Sequence, residues 1–145
     1  PWVRSYIKEH DLQKNIFLYG RFPLERMPSF FKHADALLVS LKDDPIFAMT
    51  IPGKIQTYLS AGIPVVGMLN GEGADLINRS EVGLTCPAGD AIGLADIVLE
   101  ISAMPKKSLI EMGKRGPETI IREFDRTQLI NRLENWFQEL KIKGP

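Results

Sequence analysis

The sequence predicts an α/β fold: a three-layer, Rossmann-like sandwich in which a parallel sheet lies between helices and further helices close the C-terminus. Three observations point there. Four short apolar runs lack polar alternation and are bounded by turn residues, as strands buried on both faces are. Helical stretches separate them, and strand–helix alternation implies parallel pairing through crossover connections. The chain has 145 residues, 44% hydrophobic and 25% charged, which is enough to bury one core and too apolar for disorder.

The elements follow in order. Pro1 leads directly into a helical pattern without an initiator methionine, which reads as an excised piece of a longer protein. Ile16-Phe17-Leu18-Tyr19, ending at Gly20, is the first expected strand. Leu24 to His33 carries Met27, Phe30 and Phe31 at helical spacing. Ala36 to Val39 is the second strand, and a long loop runs from Asp43 to Lys54. The next helix spans Pro52 to Ala61, opening on a proline suited to a first turn and stopping before Gly62. Strands at Pro64–Gly67 and Gly83–Cys86 flank a short helix over Glu72–Asn78. Asp90 can cap a helix reaching about Ala103, and a second runs from Lys106 to about Arg122. A third starts at Asp125, where Gln128 completes a capping-box pattern. Leu129, Leu133, Trp136, Phe137 and Leu140 form one apolar stripe along it, with Trp136 and Phe137 as packing anchors.

Composition removes several classes of function. Lysine plus arginine number 18 and aspartate plus glutamate 18, so the chain lacks the basic footprint of a nucleic-acid binder. A single cysteine, Cys86, excludes an internal disulfide, and two distant histidines, His10 and His33, do not suggest a zinc centre; no metal site is expected. The longest uncharged stretch, Ile55 to Gly71, holds Gln56, Thr57, Ser60, Pro64 and Asn70 and does not read as a membrane span. No Ser-His-Asp or Cys-His set assembles. His33 reads as a surface or capping residue, and Asp43 and Asp44 as solvated loop carboxylates.

An anion site is expected where loops at the carboxyl ends of parallel strands lead into helix N-termini. The segment Thr50-Ile51-Pro52-Gly53-Lys54 fits best. A helix start there offers free N–H groups and a positive dipole end, Gly53 permits close approach, and Lys54 adds a mobile charge. Ile46, Phe47, Met49 and Ile51 just before it are too apolar for an uncovered loop and are expected to cover something. A second glycine-rich turn, Asn70-Gly71-Glu72-Gly73, either lets a ligand approach the backbone at Gly71 and Gly73 or is a plain strand-to-helix turn. Neither segment is a G-x-G-x-x-G fingerprint or a P-loop, so no NAD or ATP cofactor is implied.

In order, Ile16–Gly20, Met27-Pro28-Ser29-Phe30-Phe31, Ala34–Ser40, Tyr58-Leu59-Ser60-Ala61-Gly62-Ile63-Pro64-Val65-Val66 and Gly83–Asp90 resemble a known series. The chain is similar, from about Ile16 to Arg122, to the C-terminal, nucleotide-sugar-binding half of retaining GT-B glycosyltransferases of family four (glycosyl transferases group 1). Ile51-Pro52-Gly53-Lys54 and Asn70-Gly71-Glu72-Gly73-Ala74 look most like bacterial O-antigen, capsule and exopolysaccharide transferases, N-acetyl-L-fucosamine transferases among them.

The resemblance implies one nucleotide-sugar-binding domain over residues 1–145, with a closing helix at 125–140 that packs back toward a preceding half. It implies a nucleoside-diphosphate-sugar donor, and a glycan or lipid-linked acceptor held by that other half. Gly20-Arg21-Phe22 would flank the base. Thr50 to Lys54 would meet the diphosphate, with Lys54 as the catalytic cation, and Gly71, Glu72 and Gly73 would border the donor. Thr57 falls where the family has a ribose-binding glutamate, and Asp43 upstream lies too far from it for the family's E-x7-E motif. The family's Arg and Lys that brace the leaving diphosphate map before Pro1. The resemblance further implies metal-independent transfer, an inactive isolated fragment, and a cytoplasmic location or one peripheral to the inner face of the plasma membrane. A same-fold nucleotide-sugar epimerase and a receiver-like signalling module are the alternatives; the second needs a strand-end aspartate, where this chain has Ser40.

Overall fold

A computed structural model describes residues 2–143. Three strands, β1 (Leu37–Ser40), β2 (Val65–Met68) and β3 (Gly83–Cys86), form a parallel sheet in the order β1-β2-β3. Leu37 aligns with Val65 and Val65 with Gly83. The helices are α1 (Trp2–Glu9), α2 (Met27–Phe31) after a 3-10 turn at Leu24–Arg26, α3 (Pro45–Ala48), α4 (Gly53–Ala61), α5 (Glu72–Arg79), α6 (Ala91–Ala103), α7 (Lys106–Phe124) and α8 (Arg126–Lys143).

Alternation along the strands divides the helices between two faces. Val39 and Val65 point to one face, where Ile55 and Leu59 of α4, Leu76 and Ile77 of α5, and Leu69 and Val82 complete the buried core. Ile120 and Phe124 of α7 pack against it. The α4–α7 crossing is close because α7 presents glycines. A Cβ on Gly113 would strike the Gly62 carbonyl, and one on Gly116 the Leu59 carbonyl. The other face is covered by α6, whose Asp90 cap accepts from the Gly93 amide at 2.9 Å. Leu38 on that face remains 53% exposed, and a cavity of about 510 Å³ opens beside it against Val66, Val98 and Ile101.

Four expectations need correction. Ile16–Tyr19 is not a strand: its side chains are 43–70% exposed, and the described sheet pairs β1 with β2 alone, so no neighbouring ladder satisfies this backbone. The long loop contains α3, which Asp44 caps by accepting from the Ile46 amide at 2.9 Å, with Pro45 preset in its first turn. Ile46 and Met49 cover nothing, being 66% and 73% exposed. Trp136 and Phe137 are not packing anchors among the described residues, being 60% and 61% exposed on α8. The remaining elements fall within a residue or two of expectation, except that α8 runs three residues past the expected end at 140. Gln128 N–H does donate to Asp125 Oδ1, at 2.9 Å, at the start of α8.

Candidate functional site

The carboxyl ends of the three strands form a rim of loops. Its brace is Asn70, two residues past the end of β2. The Asn70 amide donates to Asp43 Oδ1 at 2.9 Å in the loop after β1, and its carbonyl oxygen accepts from the Ala88 N–H at 3.1 Å in the loop after β3. One half-buried side chain thus ties all three loops together. Sequence reasoning read Asn70 only as a turn residue; an asparagine between β2 and a glycine was the available signal.

On this rim α4 begins. Pro52 stands at its N-cap without a side-chain hydrogen bond to the helix. The Ile55 amide closes a turn onto the Pro52 carbonyl at 2.9 Å, whereas the Gly53 and Lys54 amides make no hydrogen bond among the described residues. Gly53 and Lys54 are exposed, and a Cβ at Gly53 would meet nothing within 4 Å. Lys54 is in no ion pair among the described residues. Ile51 and Pro52 are half-buried, with Ile51 packed on the core, so the helix start is held rigidly while its amides stay open. This arrangement can accept an anion on backbone donors beside a lysine charge.

The flanking hydroxyls are already engaged. Thr50 donates toward the Ile46 and Phe47 carbonyls of α3 at 3.3 Å, and Thr57 to the Gly53 carbonyl at 3.0 Å. Thr57 retains acceptor capacity on the exposed side of α4 and lines a separate cavity of about 510 Å³ with Pro28, Phe31 and Ser60.

The glycines of the second turn have structural work. Gly71 adopts φ +70°, and its missing Cβ leaves room for the Ala48 backbone. Gly73 is buried, and a Cβ there would lie 2.8 Å from Leu69 and 3.0 Å from Ile55. The close approach expected at these two positions is therefore made by the chain itself. Glu72, exposed in the first turn of α5, sits favourably at the dipole's positive end.

Gly20, at φ +84° with open space around it, Arg21 and Phe22 line an open groove of about 550 Å³ with Tyr19, Met27 and Phe30. The Phe22 and Phe30 rings lie 4.8 Å apart, and the Phe31 ring meets Tyr58 of α4 edge-on at 5.8 Å. Among these cavities, none contains both the Gly20–Phe22 loop and the α4 start. Cys86, the last residue of β3, is buried, which pushes its thiol's pKa up. His33 is exposed. No helix among the described residues is long and apolar enough to cross a membrane.

A parallel α/β sheet with an exposed helix start at its carboxyl rim defines the class of open α/β domains, in which ligands bind outside the carboxyl ends of the strands. The chain belongs to the glycosyl transferases group 1 family, whose pattern it matches over residues 1–103. It is 27% identical over 109 residues to "Probable glycosyltransferase WbjE" of Pseudomonas aeruginosa, aligning 71% of this chain with 27% of that one. It is 31% identical over 101 residues to the amylovoran biosynthesis glycosyltransferase AmsK of Erwinia amylovora, aligning 69% of this chain with 25% of that protein. A Rhizobium etli protein named nucleoside diphosphate kinase is 29% identical over 113 residues, 78% of this chain and 69% of its own. The fold is shared with sucrose-phosphate synthase from Thermosynechococcus elongatus, with a TM-score of 0.75 and 19% identity over 98% of this chain and 34% of that one. The chain thus spans about a quarter of the length of WbjE and AmsK.

Proposed function

We propose that this chain is the donor-binding part of a glycosyltransferase that moves a sugar from a nucleoside-diphosphate sugar to a glycan or lipid-linked acceptor in bacterial surface polysaccharide synthesis. The observation that carries the reading is the open start of α4, where among the described residues the Gly53 and Lys54 amides make no hydrogen bond and the Lys54 ammonium no ion pair. The family supports sugar transfer, and the name of AmsK supports a polysaccharide product.

The chemistry follows from the leaving group. Breaking the anomeric bond develops negative charge on the β-phosphate, and preorganised donors and a cation lower that barrier. The α4 amides and Lys54 supply both, so transfer proceeds without a divalent metal and EDTA leaves the activity of the full-length enzyme intact. Gly20–Phe22 borders the base, Thr57 offers one hydroxyl toward the ribose, and Glu72 borders the sugar. The acceptor is held by a part of the enzyme outside this chain, so the chain alone turns over no donor. The name of the Rhizobium relative is not carried across, because the family that the chain matches is glycosyl transferases group 1.

The test is titration calorimetry with UDP, GDP, ADP and TDP. One of them binds, and Lys54→Ala weakens it by about 1–3 kcal/mol, the range for a charge-assisted hydrogen bond. Unchanged affinity in the variant removes Lys54 from the site.

A further inference from the structure

The segment between β1 and α4 has little of its own to hold it. α3 buries no residue, and a four-residue helix is not stable by propensity. The sheet's hydrogen bonds end at the Leu41 N–H, which donates to the Met68 carbonyl at 3.0 Å, and at the Leu69 N–H, which donates to the Cys86 carbonyl at 3.1 Å. Past them Asn70 bridges the loops. Among the described residues its 2.9 Å bond to Asp43 is the one hydrogen bond that joins residues 43–51 to the rest of the chain. Asp43 presents a carboxylate and Ala88 an N–H, so the bridge needs a separate donor and acceptor on one short side chain. An asparagine supplies both and an aspartate does not. Asp43 adjoins Asp44, which caps the start of α3, while Gly71, next to Asn70, lies against the Ala48 backbone at its end. Two consecutive residues thus hold both ends of α3, and four residues beyond Ala48 stands Pro52, the N-cap of α4.

We propose that Asn70 is a positioning residue: through Asp43 and α3 it sets where the Gly53 and Lys54 amides stand at the start of α4. Its consequence for sugar transfer rests on the donor-site reading above, in which those amides hold the diphosphate. Ile51, packed on the core, anchors the helix start from within. The Asn70 tie fixes the chain that enters it from the rim, so position and direction are both set. An anion on backbone donors is sensitive to that placement, because an N–H···O bond weakens steeply once it is bent.

Amide NMR of the unliganded chain, with calorimetry using UDP, GDP, ADP and TDP, tests this. Asn70→Asp keeps an acceptor for Ala88 but sets a second carboxylate against Asp43, so it releases α3 alone. The Gly53 and Lys54 signals then move, and the diphosphate that binds the wild-type chain is held about tenfold more weakly, as when a charge-assisted hydrogen bond is displaced. Asn70→Asp/Asp43→Asn exchanges the two groups, restores the tie, and returns signals and affinity to wild type. Asn70→Asp/Asp43→Ala has the wild-type net charge without the tie, and stays as weak as Asn70→Asp. Each variant is compared where urea unfolding shows it fully folded. A role confined to stability lowers the unfolding midpoint but moves neither the signals nor the affinity, and that result overturns the proposal. So does a recovery in Asn70→Asp/Asp43→Ala equal to that of the exchanged pair, which assigns the effect to charge. If none of the four diphosphates binds the wild-type chain, the donor-site reading fails, while the Gly53 and Lys54 signals across the same variants still decide whether Asn70 holds the α4 start.

Discussion

Gly53 and Gly71 both precede side chains on the same rim, yet different physics requires each glycine. Gly53 faces open space, while Gly71 holds a positive φ against the Ala48 backbone. Gly71→Ala therefore costs about 1–3 kcal/mol, as overpacking does, and shifts α3. Gly53→Ala stays within about 0.5 kcal/mol, as an uncrowded surface change does. Urea unfolding of the two variants checks this, and equal costs would contradict the assignment. Sequence offered Gly53 as a site of ligand approach and left Gly71 open between that and a plain turn, because a missing Cβ looks the same whether a ligand or the chain fills its place. Thr57 was legible as a departure from a carboxylate position, but its bond to the Gly53 carbonyl depends on the helical turn between them.

At the scale of elements, strands and helices were legible wherever local signals agreed with burial: β3 between Gly83 and Pro87, α6 after the Asp90 cap, α8 after Asp125. Ile16–Tyr19 has the same local signal as β3, but a strand exists only with a neighbour to pair with, and periodicity says nothing of partners. The Gly113–Gly116 face of α7 was invisible for a similar reason, since its purpose is the close crossing with α4. One tie between elements is titratable. Arg79 of α5 donates to Glu123 of α7 at 2.7 Å, and Arg122 adds a contact at 3.1 Å. The Arg79 hydrogen bond, reinforced by Arg122 and opposed by partial burial, holds the Glu123 carboxyl below its usual range. A folded-state value below the unfolded one contributes stability that is present above the ordinary carboxylate range and lost as pH falls through the folded value. For a partly exposed pair this amounts to about 1 kcal/mol at most. Glu123→Gln should flatten the acid limb of the stability profile by that amount. An identical limb in the variant would show that the pair contributes nothing.

For the whole molecule, the parallel α/β architecture and the family were legible because they rest on an ordered set of motifs from Ile16 to Asp90, of which those from Ala34 onward build the sheet and its rim. The completeness of the proposed donor site was not. The Gly20–Phe22 groove, the Thr57 cavity and the α4 start share no cavity, and the chain covers only about a quarter of the glycosyltransferases it resembles. A donor bound here therefore contacts a single wall, and the affinity of a nucleoside diphosphate for this chain should be weak, with its diphosphate carrying most of it. Replacing the diphosphate by the bare nucleoside should abolish binding in a thermal-shift panel, whereas equal stabilisation by both would place the recognition at the aromatic groove around Phe22 and Phe30 instead. The most direct measurement is a two-dimensional amide NMR titration of this chain with the nucleoside diphosphate that binds it. The central claim predicts that the largest shifts fall on the Gly53, Lys54 and Ile55 amides; shifts confined to other surfaces, with those three unmoved, would contradict it.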